Sequence, residues 1–174
     1  MDATYNTNKH NLALAILSGV SNEGKNVILA VAFLSWETAE NYSWLLRTLT
    51  EMNNRIEPRT MMTDFDSSMC QAIEQTFSKT THMLCQWHMM QNFKKHFMHL
   101  SKRKTGHSKL LYNHIMDTIF CDSPKRFQEL QDVIFQNSDL EPQRLHYLRQ
   151  LFLIKEKWST AYQPIQFTAG IHTI

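Results

Sequence analysis

Apolar positions fall into two regimes along this chain. In the first half they form short, nearly unbroken runs. Residues 12–20 (LALAILSGV) and 27–34 (VILAVAFL) read as strands, and because both runs are apolar almost throughout, they predict strands covered on both faces. Between them SNEGKN supplies turn chemistry through Asn22, Glu23 and Gly24, which predicts a β-hairpin. From 38 to 52 the period lengthens: Tyr42, Leu45, Leu46, Leu49 and Met52 recur at three and four, the mark of an amphipathic helix that ends near Asn53 and Asn54. Pro58 blocks its continuation. Residues 60–63 (TMMT) form a brief uncharged run that stops at Asp64 and Asp66. Ser67 is the expected cap of the next helix, with Met69, Ile73 and Phe77 on one face. Residues 82–85 return to strand character, and His88 lies three positions past Cys85. The order strand, strand, helix, strand, helix, strand predicts an α/β sheet of mixed direction.

After His88 the strands stop. Residues 89–100 read as a basic helix and 102–106 as a charged loop. Leu111, Ile115 and Ile119 mark a helix closed by Cys121 and Asp122. Ser123 and Pro124 are a cap and first-turn pair for the next, with Phe127, Leu130 and Ile134 inward. Leu145, Leu148 and Phe152 mark a third helix, and Trp158 and Tyr162 follow. Trp44, Trp87 and Trp158 lie within apolar patterns and are expected in the core.

Composition narrows the function classes. A chain of 174 residues with a net charge of +2 fits one domain, and so weak a basic balance permits nucleic acid as a partner without arguing for it. Three cysteines, Cys70, Cys85 and Cys121, are an odd number at uneven spacing, which fits a reducing compartment rather than a disulfide framework. No apolar run approaches the ~20 residues of a membrane span, and the polar opening holds no signal-peptide core. The expectation is a soluble intracellular protein with no membrane partner.

Asp64 is the strongest chemical candidate. An apolar run that ends in a carboxylate is how an α/β sheet presents an acid at the carboxyl end of a strand, and such oxygens are the ligands Mg²⁺ takes. The alternative is that Asp64 or Asp66 caps the following helix, a role Asp66 fits better. Cys85 and His88 have the spacing of zinc ligands, but a structural site wants four, with a second close pair. His96 and His99 stand among lysines and read as a solvated basic face, so zinc is not expected within this chain. Cys85 and His88 can instead buttress an acidic site from beside it. Lys94, Lys95, Lys102, Arg103 and Lys104 could contact a DNA backbone, although an ordinary exposed helix and loop explains them as well.

Six stretches carry a resemblance. DATYNTNKHNLAL, AVAFLSWETAENYSWLL, MMTDFDSSMCQAIEQTF and THMLCQWHMMQNF, followed by IKEKWSTAY and QFTAGIHTI, resemble in that order the transposase domain of Mutator-like elements. The likeness is to the far-red-impaired-response branch, whose plant members are domesticated transcription regulators, and it covers nearly the whole chain. It implies a ribonuclease-H-like mixed sheet with a truncated first strand over residues 1–92, and an all-helical insertion with the lead-in to the last catalytic motif over 93–174. It also implies an Asp-Asp-Glu site using two Mg²⁺ (or Mn²⁺) ions to cut and join DNA in the nucleus. Asp2 matches the first acid, with Ala3 where the family usually has Gly, and Asp64 matches the second. On this reading the two side chains share a metal, roughly 4 to 8 Å apart given metal–oxygen distances near 2 Å. Cys85 and His88 match the family's Cys-x-x-His beside the site.

The third acid is expected a few residues past Ile174, and Glu129, Glu141 and Glu156 do not match it. Neither the strand expected before Asp2 nor the family's flanking zinc-binding segments lie within these residues. The expectation is a transposase domain, as a fragment or degenerate copy, that does not cleave DNA by itself. The alternative is a non-catalytic, DNA-associated transcription regulator. DNA is the expected partner, and a homo-oligomer is compatible with either.

Overall fold

The computed structural model describes the backbone of residues 2–4 and the whole of residues 10–103, 106–137 and 140–163. It is a mixed α/β structure that divides into two compact units, the first ending at Leu84 and the second beginning at Cys85.

The first unit holds the strands. β1 (Asp2–Thr4), β2 (Ala13–Val20) and β3 (Asn26–Leu34) form an antiparallel sheet in that order. The β2–β3 turn is the expected one: Gly24 has φ of +75°, a conformation that costs glycine little, and its N–H donates to the Ser21 carbonyl at 3.0 Å. Helix α1 (Ala39–Met52) follows, capped by Thr38, whose side chain accepts from the Asn41 N–H. Then β4 (Thr60–Thr63), helix α2 (Ser67–Thr76) and β5 (Thr81–Leu84) make a parallel pair joined by the helix, the connection that parallel strands require.

One core serves both sheets of this unit. Ala13, Ala15 and Leu17 from β2 and Leu34 from β3 pack with Tyr42, Leu45 and Leu46 from α1, Met61 from β4, and Met69, Ala72, Ile73 and Phe77 from and just after α2. The alanines in β2, with Ala30 and Ala32 of β3 packed against the cluster, leave room for the larger side chains of α1. Successive strand residues point to opposite faces, so the other face of β3 should be equally well covered if its continuous apolar run meant full burial. It is not: Leu29, Val31 and Phe33 are 63%, 53% and 57% exposed. The β-branched and aromatic residues there satisfy strand propensity without specifying a cover. A register shift between Leu17 and Ser18 also leaves Ile28 exposed.

The second unit is all helix: α3 (Gln86–Lys102), α4 (Gly106–Phe120), α5 (Pro124–Phe135) and α6 (Pro142–Leu153), then a single 3₁₀ turn at Lys155–Lys157. The charged-loop expectation at 102–106 gives way to helix at both ends, since α3 runs to Lys102 and α4 starts at Gly106. Ser123 caps α5 by accepting from the Arg126 N–H, with Pro124 in the first turn. Trp158 organises the interior. Its ring, fully buried, meets Phe93, Phe152 and Phe127 at centroid distances of 5.6, 5.7 and 5.8 Å, and its Nε1 donates to the Leu151 carbonyl at 2.9 Å. Trp44 and Trp87 are instead exposed; each sits on a helix beside truly buried neighbours, and helical spacing left one position of ambiguity. No helix among the described residues is long and apolar enough to cross a membrane.

Candidate functional site

The acids of the first unit have distinct jobs. β4 ends at Thr63, and Asp64 is the next residue, half-buried, with exposed Phe65 and then Asp66 following. Asp66, not Ser67, is the N-cap of α2: its Oδ1 accepts the Met69 N–H at 2.7 Å. Asp66 thereby satisfies one of the donors that a helix start leaves open, and Asp64 is left outside the capping role. Asp2 lies on β1, its backbone paired with Ile16 of β2; its side chain is outside the described residues. The two matched acids therefore sit in one unit, Asp2 in the antiparallel sheet and Asp64 at the carboxyl end of the parallel pair.

A carboxylate outside the matched motif positions acts on the same buried tyrosine as Asp64. Glu37, just ahead of the Thr38 cap, accepts a hydrogen bond at 3.0 Å from the Tyr42 hydroxyl on the first turn of α1. Burial pushes the Tyr42 hydroxyl far above the usual tyrosine range; the charge and hydrogen bond of Glu37 push it further, as do the charges of Asp66 and Asp64. Glu37, Asp64 and Asp66 thus share the surroundings of one buried hydroxyl. The available signal is positional: ETAENY places an acid one residue before a cap and five before a tyrosine. Among the described residues no group of three or more His, Cys, Asp or Glu is placed to hold a metal ion.

Cys85 and His88 open the second unit. Cys85 is the N-cap position of α3 and His88 is three residues on, the spacing at which a cap and a first-turn side chain meet on one side of a helix start. Cys85 is buried, while His88 is half-buried with its ring edge-on to Trp87 at 4.9 Å.

The basic candidates lie along α3. Lys94 is half-buried, Lys95, Lys102 and the C-cap Arg103 are exposed, and Lys104 lies outside the described residues. They share this surface with Arg144 of α6, which donates to the His96 carbonyl and, through Nε, to Glu141 at 3.0 Å. His96 stacks on Tyr147 at 4.2 Å. Burial lowers the pKa of His96, helped by the charges of Lys95 and Arg144. Burial likewise lowers that of His99, helped by Arg144 and Arg103 against a smaller opposing effect of Glu141. Arg144 is a basic residue that sequence spacing did not connect to this segment, since it lies on another helix.

Residues 1–92 match the MULE transposase domain. Over 174 residues, 99% of the chain, it is 28% identical to Protein FAR-RED IMPAIRED RESPONSE 1 of Arabidopsis thaliana, covering 20% of that protein. It is 24% identical over 172 residues, 98% of the chain, to Protein FAR1-RELATED SEQUENCE 7 of the same plant, covering 21% of it. A 99-residue stretch is 28% identical to Protein FAR1-RELATED SEQUENCE 5, covering 57% of the chain and 13% of that relative. The chain spans about a fifth of the length of the first and second of these relatives.

Proposed function

The chain belongs to the MULE transposase domain family, and we propose that its first unit is a ribonuclease-H-like body whose Asp64 is a metal-binding acid for DNA strand cleavage and transfer. The observation that carries this reading is position: Asp64 stands immediately past the carboxyl end of β4, and the cap of α2 is a different acid, Asp66. Three antiparallel strands, a helix and a parallel strand–helix–strand unit support the ribonuclease-H-like assignment.

Carboxylate oxygens are the hard donors that Mg²⁺ or Mn²⁺ takes, so the donor chemistry of Asp64 and Asp2 fits such an ion, and these two residues would hold it. When bound, it supplies activation of a water or 3′-hydroxyl and stabilisation of the leaving oxygen. The chain's own contribution is placement. β4 carries Asp64 to the end of a buried parallel pair, and the Asp66 cap anchors the start of α2 two residues later, which limits how far the intervening backbone can move. The basic surface of α3 supplies charge for DNA phosphates, and the setting is the nucleus.

A second reading has its own support. One of the relatives above bears the name FAR-RED IMPAIRED RESPONSE 1. On that reading the fold is a DNA-associated scaffold for transcription regulation. Titrating Mn²⁺ into the isotopically labelled chain tests the choice: selective broadening at Asp64 that Asp64→Asn removes supports the metal site, and no selective broadening removes it. Plasmid nicking that needs Mg²⁺ and Asp64 then favours cleavage over the scaffold.

A further inference from the structure

Two polar side chains are buried side by side on the parallel strand pair of the first unit. Thr63, the last residue of β4, is 1% exposed, and His82 on β5 is 8% exposed. In the parallel register His82 lies opposite Met61 and Leu84 opposite Thr63. His82 is therefore diagonal to Thr63, within reach on the same face. Their contact is direct: Thr63 Oγ1 is 2.8 Å from His82 Nε2. The same Oγ1 lies 2.8 Å from the backbone carbonyl oxygen of Asp64.

These two distances assign the protons. A carbonyl oxygen only accepts, so the single hydroxyl proton of Thr63 goes to Asp64. The hydroxyl then faces the imidazole with a lone pair, and His82 must donate from Nε2. The chain His82 Nε2–H to Thr63 Oγ1–H to Asp64 carbonyl crosses from β5 to β4 and ends on the peptide just beyond the ladder, which stops at the Thr63–Leu84 pairing. The Thr63 hydroxyl ties down the carbonyl of Asp64 at this point. Fixing it fixes the peptide plane on the far side of the Asp64 Cα, and with it the direction in which the side chain leaves the backbone.

Stability alone does not call for this arrangement. Replacing a buried hydrogen-bonded pair by apolar groups of the same shape is often neutral or stabilising, and Met61, Met83 and Leu84 around it are apolar and buried. We propose that His82, acting through Thr63, is a positioning residue that aims Asp64. This deepens and rests on the reading of Asp64 as a metal-binding acid.

The test uses the 174-residue chain, Mn²⁺ alone as probe, and four substitutions: Thr63→Val, Thr63→Ser, the double variant Thr63→Val with His82→Leu, and Asp64→Asn. Thr63→Val is expected to weaken Mn²⁺ binding roughly tenfold, the scale of losses when groups behind a metal ligand are removed, and Thr63→Ser to restore it. The double variant should recover urea stability but not Mn²⁺ affinity, a split that a purely structural pair would not produce. Double-variant affinity equal to wild type overturns the proposal. Asp64→Asn is the control on the underlying reading. If it leaves Mn²⁺ binding unchanged, the metal reading has failed, and the aiming link is decided without metal. It then stands if ¹⁵N spectra show His82 protonated at Nε2 and Thr63→Val, but not Thr63→Ser, speeds hydrogen exchange at the Phe65 amide. It falls if His82 carries its proton only on Nδ1 or if exchange is unmoved.

Discussion

Asp66 Oδ1 accepts the backbone N–H of Met69 at 2.7 Å, which makes it the N-cap of α2 and separates its role from that of Asp64 two residues earlier. Asp66→Ala is therefore expected to cost about 1 kcal/mol of stability, and Asp66→Ser far less, because serine can accept the same bond. Urea unfolding of the two variants checks this. Equal losses would mean that the cap is not what holds the start of α2.

The Tyr42–Glu37 hydrogen bond has a consequence at high pH. The pKa of Tyr42 is raised in the folded chain, first by burial and then by Glu37, Asp66 and Asp64, whereas an unfolded tyrosine ionises near pH 10. Above about pH 10 the unfolded chain has given up a proton that the folded chain keeps, so its stability is intact below that pH and declines as pH rises, by up to about 1.4 kcal/mol per unit for one tyrosine. Burial raises Tyr147 as well, so Tyr42→Phe should remove part of the slope, not all of it. Alkaline unfolding followed by circular dichroism in the variant and the parent is the measurement, and identical slopes would contradict the assignment.

The elements of the fold were largely legible because their signals are local. The turn at Asn22–Gly24, the Thr38-to-Met52 period and the Ser123–Pro124 start each depend on a few adjacent residues, and each is found where expected. What the sequence concealed depends on partners distant along the chain. Leu29, Val31 and Phe33 form one apolar run with Ala30 and Ala32, but only the alanine side meets the core; periodicity marks alternate faces without saying which is covered. Trp44 is adjacent to Leu45 and Leu46 yet turned outward, since one step on a helix is 100° of rotation. In the candidate site the strand-end position of Asp64 was readable. The Thr63–His82 contact, nineteen residues apart, and the link from Glu37 to Tyr42 required the parallel register and the first turn of α1.

Trp158 ties together Phe93, Phe127 and Phe152 from three different helices, and its Nε1 donates to the Leu151 carbonyl. Trp158→Ala should destabilise the second unit by about 3–5 kcal/mol, the range for emptying a large aromatic site in a core. Trp158→Phe keeps much of the ring packing and loses the Nε1 hydrogen bond to the Leu151 carbonyl, which still accepts from the Ile154 N–H at 3.0 Å, so an intermediate loss is expected. Tryptophan-independent thermal melts of the two variants test the ordering Ala worse than Phe worse than wild type. A Phe variant as unstable as Ala would mean that the hydrogen bond, not the ring stack, dominates.

Acid should weaken the second unit through His96 and His99. Their pKa values are lowered in the folded state, chiefly by burial and then by neighbouring cations, while unfolded histidines take up protons near pH 6.5. The unfolded chain binds more protons as pH drops through that value, so the stability present above it is lost on acidification. His96→Phe, which retains an aromatic partner for Tyr147, should flatten the decline between about pH 7 and 5. Stability measured across that interval gives the answer, and an unchanged slope would remove His96 from the account.

The same basic surface makes a quantitative prediction about DNA. Each phosphate contact releases counterions, so the logarithm of the binding constant falls with the logarithm of salt concentration by roughly 0.9 per contact on duplex DNA. Lys95, Lys102 and Arg103 are exposed on α3 and its C-terminal end, and His96 and His99, with lowered pKa values, add little charge at neutral pH. If the three cations meet phosphates, the triple alanine variant should bind DNA more weakly at every sequence and show a salt slope shallower by about 2 to 3. Replacing Lys125 and Arg126 on α5 serves as the control, because Arg126 is already paired with Glu129 at 3.3 Å and the change lowers net charge, by two, without touching α3. A control that flattens the slope as much per charge as the α3 variant would show that total charge governs binding. A flattening confined to the α3 variant would assign the DNA backbone to this helix.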